Sequence, residues 1–383
     1  MEEKLETFCN KTLDDLENCT KRYSRMVTVM NGTQEAHSGP EAVIVPLCFG
    51  VVFVIGIIGN LFLLYYVLRK RRLNTPHNCY VVNLAAGDIV MITVALPFIS
   101  TIYTTVEWPF GETICKLSEF VQTLCTGVTI FSITALSIER YLILSVAEPS
   151  GRNKKTLIVI ILIWIFALIL AIPDLVSANI VIGEPGSLEF CFLYRPTWSE
   201  LYAQTLTIVK LLFLFVLPLL ILTPFYIMIV LTLLKTDRNG HSINSNGAIP
   251  LNSESNVSQD YGQKMARHRK IVAILVMFLV AMFVLCWLPR HIFLIWFHFV
   301  PGQFSHFWNV FKITGFCLMF ANSGINPLAF LLFDSGFRHF VSSCDWCKST
   351  SYRPEVFEDC TSGAKQTIVL TTMAHDRKNS CEV

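Results

Sequence analysis

The chain has 383 residues, of which 53% are hydrophobic and 15% are charged, and its formal net charge is +2 at pH 7. Soluble domains carry about 25% charged residues, so this composition excludes an ordinary soluble protein and favours a chain that resides in a membrane. The small net charge by itself indicates little about partners.

Seven long apolar segments are predicted to cross a membrane as helices. A helix rises 1.5 Å per residue, so each span needs roughly 20 apolar residues. The predicted spans are 42–68, 79–103, 117–144, 156–182, 201–234, 271–300 and 307–333. They are too long for the strands of an outer-membrane barrel and lack its two-residue alternation. The predicted fold class is therefore all-α, a seven-transmembrane helix bundle over residues 42–333.

Residues 1–41 form a polar tail before the first span. Basic residues gather in the loops after the first and third spans and before the sixth, so the positive-inside rule places this tail outside the cell. Three Asn-x-Ser/Thr sequons, at Asn10, Asn18 and Asn31, lie in it and are predicted to be glycosylated. Residues 1–4 show no start of a signal peptide, so the first span is expected to act as a signal anchor.

Of the thirteen cysteines, two lie within the bundle segment on its predicted external side, and two more lie in the tail. Cys115 opens the third span, and Cys191 lies in the loop before the fifth. A bridge between them would close a loop of 191 − 115 = 76 residue steps and contribute roughly 4 kcal/mol in the chain-entropy model. We expect this bridge to form, whereas Cys9 and Cys19 in the tail either pair or stay reduced.

Polar side chains fall in the middle of several spans, where a charge costs about 2.5–3.5 kcal/mol on insertion scales. The charged one is Asp88, central in the second span. The others are Asn60, Thr129, Asn322, Ser323 and Asn326. If all face inward, they form a polar core that holds a sodium ion, water or a proton. The alternative is a set of unrelated interhelical hydrogen bonds.

Five spans contain a proline, which removes a backbone hydrogen bond and can kink its helix. These prolines are Pro97, Pro173, Pro218, Pro289 and Pro327. They offer hinge points, although for Pro173 alone packing geometry is the favoured reason.

Residues 334–347 are predicted to form an amphipathic helix on the inner membrane face. Its recurring apolar residues are Phe337, Phe340, Val341 and Trp346. Cys344 and Cys347 lie at the depth expected for palmitoylation, and the alternative is two unmodified thiols. Composition also predicts a disordered linker over 236–263 and a disordered cytoplasmic tail over 348–383.

Several short motifs occur in order along the predicted helices. They are Gly59-Asn60, Leu84-Ala85-Ala86-Gly87-Asp88, Trp108-Pro109-Phe110-Gly111, Cys115, Glu139-Arg140-Tyr141, Trp164, Pro218 with Tyr226, Cys286-Trp287-Leu288-Pro289, and Asn326-Pro327. Each is weak alone. Together they make residues 42–347 resemble the rhodopsin-like (class A) G protein-coupled receptors.

The resemblance implies roles in a two-state switch. Glu139 holds Arg140 at rest, and activation frees Arg140 to meet a heterotrimeric G protein and Tyr226. Trp287 is a packing toggle above the kink at Pro289. The other residues of this switch are Tyr141, Asn326 and Pro327. Asp88, Thr129, Asn322, Ser323 and Asn326 correspond to a sodium site, so a sodium ion is the one cofactor to consider.

Two positions depart from the family pattern. Phe330 replaces the tyrosine that usually follows Asn326-Pro327, so its hydroxyl is missing. Arg269 stands at the base of the sixth span where some relatives carry a glutamate, which excludes an ionic latch to Arg140. Both changes bear on basal activity.

The ligand class follows partly by exclusion. Gln122 occupies the position of the amine-binding aspartate, and Phe320 that of the retinal-binding lysine, so amine and retinal ligands are excluded. The expected ligand-binding residues in the outer halves of the spans are Glu119, Gln122, Asp174, Lys210, Arg290, His291 and Lys312. Side chains of both charges spread over a wide external opening of the bundle suit a peptide ligand, which presents many amides and some charges. The alternative for each residue is an internal ion pair, such as Lys210 with Glu119.

The local sequence is most similar to that of the neuropeptide CCHamide receptors, which are relatives of the bombesin and endothelin receptors. The segment Ile114-Cys115-Lys116-Leu117-Ser118-Glu119-Phe120 carries this likeness, and Arg290 is less expected. The resemblance implies a short amidated peptide ligand and coupling through the Gq class.

The remaining expectations concern partners and rival classes. The resemblance implies a multi-pass protein of the plasma membrane that contacts the lipid bilayer, arrestin and receptor kinases, with no nucleic-acid partner. Metalloprotease, hydrolase and phosphate-loop motifs are missing, so the chain is not expected to be an enzyme. The alternatives are a receptor of this fold without a ligand, or a transporter, which would need inverted repeats.

Overall fold

The structure, a computed structural model, describes residues 41–69, 75–102, 105, 107–146, 153–182, 189–194, 198–228, 231, 253–300 and 305–342. The predicted glycosylation sites at Asn10, Asn18 and Asn31 lie outside these residues. So do Cys344 and Cys347, together with most of the predicted linker.

Seven helices of the described residues are long and apolar enough to cross a membrane, which confirms the predicted class. They are α1 (Glu41–Arg69), α2 (Pro76–Thr101), α3 (Gly111–Val146), α4 (Asn153–Ser177), α5 (Glu200–Met228), α6 (Ser253–Phe299) and α7 (His306–Phe333). Helices suit these segments because lipid offers no partners to the backbone, so every N–H and C=O group must be satisfied within the span.

A two-stranded hairpin covers one end of the bundle. Strand β1 (Asn179–Ile182) pairs antiparallel with β2 (Glu189–Phe192). The sequence predicts a fourth span that reaches residue 182, and this is wrong. Helix α4 ends at Ser177 because the β-branched run that follows pairs with β2 instead of continuing the helix.

The hairpin is fixed to the start of α3. Cys115 and Cys191 form the expected disulfide, with Cα atoms 5.6 Å apart. The backbone N–H of Trp108 donates to the carbonyl of Glu189 at 2.7 Å. The hairpin end of the bundle, defined by β1 and β2, is therefore tied to α3 both covalently and by hydrogen bonding.

We expect Cys115→Ala to lower the free energy of unfolding by roughly 4 kcal/mol, because the unfolded chain regains the freedom of the closed loop. Thermal melting of the purified protein and its abundance at the cell surface measure this loss. Cys191→Ala should match it, and the double variant should lose nothing more. Cys48→Ala, at an exposed free cysteine, is the control. Normal melting of Cys115→Ala would show that the bridge contributes nothing.

Helix α6 begins earlier than expected. The linker predicted over 236–263 is wrong from Ser253 onward, where the helix is already formed. Extending an existing helix requires no new nucleus, and this segment contains Gln, Lys, Met, Ala and Arg, which favour helix. The long apolar span from Ile271 to Phe299 therefore supports a polar helical extension before it.

Two of the five predicted proline sites carry a π-helical turn. Residues Met91–Ala95 widen α2 just before Pro97, and Leu212–Val216 widen α5 just before Pro218. Such a turn absorbs one extra residue, which rotates the preceding segment by about 100° relative to a continuous α-helix. At Pro173, Pro289 and Pro327 the α-helix continues.

A short helix, α8 (Ser335–Ser342), lies at the other end of the bundle. Its buried face packs on α1, with the rings of Phe337 and Phe340 each 5.2 Å from that of Tyr66. A Cβ atom on Gly336 would lie 2.6 Å from the Tyr66 hydroxyl oxygen, so only glycine permits this approach. We call this the α8 end.

Candidate functional site

A buried ion pair lies beneath the hairpin, between α4 and α5. Lys210 Nζ binds Asp174 Oδ1, and Asp174 is fully buried while Lys210 is 9% exposed. The partner differs from the predicted alternative, in which Lys210 pairs with Glu119. Asp174 Oδ2 has no hydrogen-bond partner within the described part of the chain.

Helix α3 contributes two polar side chains to the same region. Glu119 and Gln122 are both buried. Glu119 lies within electrostatic reach of Arg290, Asp174 and Lys210. The Gln122 amide donates to the carbonyl of Ser118 at 3.2 Å, which leaves Gln122 Oε1 as an acceptor with no partner among the described residues.

Helix α6 closes the site with two residues that follow Pro289. The Arg290 guanidinium lies over the ring of Phe316 on α7, 4.2 Å from its centroid. The buried His291 packs against Phe215, with ring centroids 4.8 Å apart, and against Trp287 at 6.3 Å. His291 therefore connects the polar side chains described above to Trp287, the expected packing toggle.

The structure thus brings six of the seven predicted ligand-binding residues into one network. They are Glu119, Gln122, Asp174, Lys210, Arg290 and His291. The seventh, Lys312, is half-buried on α7, one turn before Phe316. We name the six residues the polar cluster.

Several neighbours of the polar cluster escape sequence reasoning. Tyr194, three residues beyond Cys191, shares a 3.1 Å hydrogen bond with the Thr207 hydroxyl of α5, and its ring lies 5.1 Å from that of His298. Burial raises the pKa of Tyr194, so its phenol stays neutral. The Gln204 amide donates to the carbonyl of His298 at 2.9 Å. These contacts join the hairpin to α5 and α6, and only the position of Tyr194 after Cys191 offered a signal.

The expected polar core lies in the middle of the bundle. Asn326 Nδ2 donates to Asp88 Oδ2 at 2.6 Å, and Asn60 Nδ2 donates to the carbonyl of Ser323 at 2.9 Å. Its six members are all buried: Asn60, Asp88, Thr129, Asn322, Ser323 and Asn326. Both contacts cross between helices: the first joins α7 to α2, and the second joins α1 to α7.

The oxygen-bearing side chains of this core are suitable ligands for a sodium ion. Hard cations prefer oxygen ligands, and the buried side chains of Asp88, Thr129 and Ser323 each carry oxygen. No group of three or more His, Cys, Asp or Glu side chains that could hold a metal occurs among the described residues. A bound sodium ion would supply a positive charge that compensates the buried carboxylate.

We expect sodium to stabilise the wild-type protein and not Asp88→Asn, because the variant lacks the charge that attracts a cation. At ten times the dissociation constant, binding adds about 1.4 kcal/mol to the free energy of unfolding. Melting in sodium chloride against choline chloride measures the difference. Equal melting of the wild type in both salts would remove the sodium assignment.

At the α8 end, Arg140 is held by its neighbour as expected. Its Nη2 lies 3.4 Å from Glu139 Oε2, with both side chains largely buried. Arg140 Nε has no hydrogen-bond partner among the described residues. The ring of Tyr141 lies 5.3 Å from that of Phe225. Phe330, which lacks the usual hydroxyl, is buried with its ring 6.1 Å from that of His77.

Tyr226 takes part in a contact between three helices that sequence reasoning missed. Its hydroxyl lies 2.8 Å from the Ser137 hydroxyl on α3 and donates to the carbonyl of Val276 on α6 at 3.3 Å. Tyr226 therefore links α3, α5 and α6 one turn away from Arg140.

Comparison with known proteins agrees with this geometry. Residues 59–330 match the family model described as 7 transmembrane receptor (rhodopsin family). The neuropeptide CCHamide-1 receptor of Drosophila melanogaster is 31% identical over 350 residues, which are 87% of this chain and 66% of that receptor. The bombesin receptor subtype-3 of Ovis aries is 28% identical over 358 residues, 89% of this chain and 86% of that receptor.

The chain therefore spans just under two thirds of the length of the fly receptor. The likeness to CCHamide and bombesin receptors expected from the sequence is confirmed. The family match covers every helix of the bundle at least in part and includes Asp88, Arg140, Trp287 and Pro327. This chain is a multi-pass membrane protein that belongs to the rhodopsin family of seven-transmembrane receptors.

Proposed function

We propose that this protein is a G protein-coupled receptor for an extracellular neuropeptide of the CCHamide and bombesin type. The observation that carries the proposal is the contact of the polar cluster with Trp287 through His291. A ligand that binds the cluster thereby acts directly on a ring in the helix that carries the Pro289 kink.

The charges of the polar cluster favour a peptide ligand whose bound end is uncharged. Glu119 and Asp174 are two acidic side chains and Lys210 and Arg290 are two basic ones, so the formal charges of the cluster cancel. Gln122 Oε1 and Asp174 Oδ2 remain as buried acceptors without partners among the described residues, and a buried polar group left unpaired costs about 1–3 kcal/mol. A carboxamide donates two N–H groups and carries no charge, so an amidated peptide end satisfies both requirements.

Binding would shift an equilibrium between two arrangements of the bundle. A ligand changes this equilibrium only as far as it binds one arrangement more tightly than the other. His291 contacts Trp287, and Trp287 stacks with Phe283 at 5.8 Å. These rings lie along α6, so a change at the polar cluster is passed toward the α8 end.

The Tyr226 contact is proposed to hold the resting arrangement, because Arg269 offers Arg140 no carboxylate. We expect Ser137→Ala to raise basal nucleotide exchange on the G protein about fivefold, since one hydrogen bond contributes about 1 kcal/mol. Thr134→Ala is the matched control, because among the described residues the Thr134 hydroxyl bonds only the carbonyl of Ile130 in its own helix. Unchanged or lower basal exchange in Ser137→Ala would contradict this role.

The proposal includes coupling to the Gq class, later contact with arrestin and receptor kinases, and location in the plasma membrane with the N-terminus outside. The likeness to the two peptide receptors supports the ligand class and the G protein as partner. The positive-inside pattern supports the orientation.

A calcium assay in cells that express the chain tests the ligand and the coupling together. Amidated brain and gut peptides, with the CCHamide-1 peptide first, are compared with their free-acid forms. We expect an amidated peptide to act and its free acid to lose potency, and Gln122→Asp and Glu119→Gln each to lower potency. If the protein stimulates nucleotide exchange on no G protein and instead carries a substrate across the membrane of liposomes, the receptor function is wrong and the protein is a transporter.

A further inference from the structure

The two cations of the polar cluster are held in different ways. Lys210 is neutralised by a direct ion pair with Asp174. Arg290 forms no hydrogen bond and no ion pair with any described residue, and its guanidinium instead lies over the ring of Phe316. Its N–H donors are therefore left for a ligand, because an aromatic face binds the charge without using those donors.

The position of this ring depends on the residue before it. A Cβ atom on Gly315 would lie 3.2 Å from the backbone N of Arg290 and 3.4 Å from its Cα. The backbones of α6 and α7 thus come close together at Pro289 and Arg290, and a larger residue at 315 would separate them. The close approach brings the next residue of α7, Phe316, to the guanidinium.

A competing partner for Arg290 lies across the cluster. Glu119 on α3 is within its electrostatic reach, and a direct carboxylate pair would occupy the donors of the guanidinium. The ring on the α7 side binds the guanidinium in place of that carboxylate.

We propose that Gly315 and Phe316 are positioning residues that hold Arg290 as the specificity-determining donor to a carbonyl oxygen of the peptide end. This inference rests on the proposed function. A fixed guanidinium gives up less conformational freedom on binding than a mobile one, so loss of the ring should weaken peptide binding even though Arg290 itself is intact.

The first test needs no ligand. Phenylglyoxal modifies accessible guanidinium groups, and mass spectrometry of the intact receptor measures its addition to Arg290. We expect Phe316→Leu to lower this labelling severalfold, because Arg290 then pairs with Glu119. Phe316→Tyr, which keeps the aromatic face, should label as the wild type does. Equal labelling in Phe316→Leu and the wild type would overturn the positioning role.

The second test uses the amidated peptide that is most potent in the calcium assay. Phe316→Leu should lower its affinity about tenfold, within the range of a cation–π contact. Adding Glu119→Gln should restore the labelling of Arg290 to the wild-type level, because the competing carboxylate is gone. A general packing defect would not be repaired by that change, so failure of the rescue would count against the inference.

The two proposals fail separately. If no amidated peptide acts on the wild type while labelling follows the expected order, the ligand assignment fails and the positioning of Arg290 stands. If peptides act and labelling is unchanged in Phe316→Leu, the receptor function stands and the positioning role is wrong. Melting temperatures of all variants show whether each is folded.

Discussion

Arg140→Ala should abolish activation of the G protein while leaving peptide binding and surface expression unchanged. Arg140 is largely buried at the α8 end, where only Glu139 pairs with it among the described residues. A hydrogen bond to a charged group is worth about 1.5–3 kcal/mol, so losing its proposed contact with the G protein should lower exchange by at least about tenfold. Nucleotide exchange on purified G protein, beside peptide binding to the same sample, measures both effects.

Glu139→Gln is the matched variant with the opposite expected sign. It removes the charge that restrains Arg140 at 3.4 Å and keeps nearly the same shape, so basal exchange should rise. If Arg140→Ala exchanges nucleotide normally, or if Glu139→Gln lowers basal exchange, the pair does not form the switch.

Asp174→Ala should cause a large loss of stability. The variant leaves Lys210 charged and buried without its partner, and breaking a buried pair in this way costs about 3–5 kcal/mol. The free energy of unfolding should fall by that amount, and little protein should reach the cell surface. Replacing both partners, as Asp174→Ala with Lys210→Met, should recover most of the loss because no buried charge remains.

Asp174→Asn separates a structural role from a ligand contact. It keeps the shape and one hydrogen-bond acceptor but removes the negative charge beside Lys210. If it melts normally while peptide affinity falls, Asp174 acts on the ligand, as the sequence predicts. If melting falls sharply, the ion pair with Lys210 is mainly structural. Normal melting of Asp174→Ala would contradict the cost assigned to a buried unpaired lysine.

The number and approximate positions of the spans could be predicted because long apolar segments leave few alternatives. The places where prediction failed are decided by contacts outside the segment. Helix α4 stops at Ser177 because residues 179–182 pair with a strand ten residues further along the chain. The composition of residues 156–182 alone does not reveal that partner.

The members of the polar cluster were predictable, and their pairing was not. Lys210 was expected to meet Glu119 and instead binds Asp174. It precedes the π-helical turn Leu212–Val216, which rotates its part of α5 by about 100°. Nothing in the local residues predicts where a helix takes up one extra residue, so the direction of Lys210 could not be read from the sequence.

The cysteine pair shows the opposite case. Cys115 and Cys191 were predictable because the positive-inside rule puts both on the predicted external side, where a bridge is favoured. Cys344 and Cys347 lie outside the described residues, so their palmitoylation stays a prediction.

The packing of α8 against α1 bears on how the chain is made in the cell. Tyr66 meets Phe337, and Asn60 donates to the carbonyl of Ser323 across 263 residues of sequence. Helix α1 enters the membrane first, but its polar and aromatic partners lie on α7 and α8, which are synthesised last. Until α7 and α8 have been synthesised, the polar and aromatic side chains of α1 lack these partners and are open to the membrane-insertion machinery or a chaperone. A chain truncated before Phe337 leaves Tyr66 without these ring contacts, which cellular quality control can recognise.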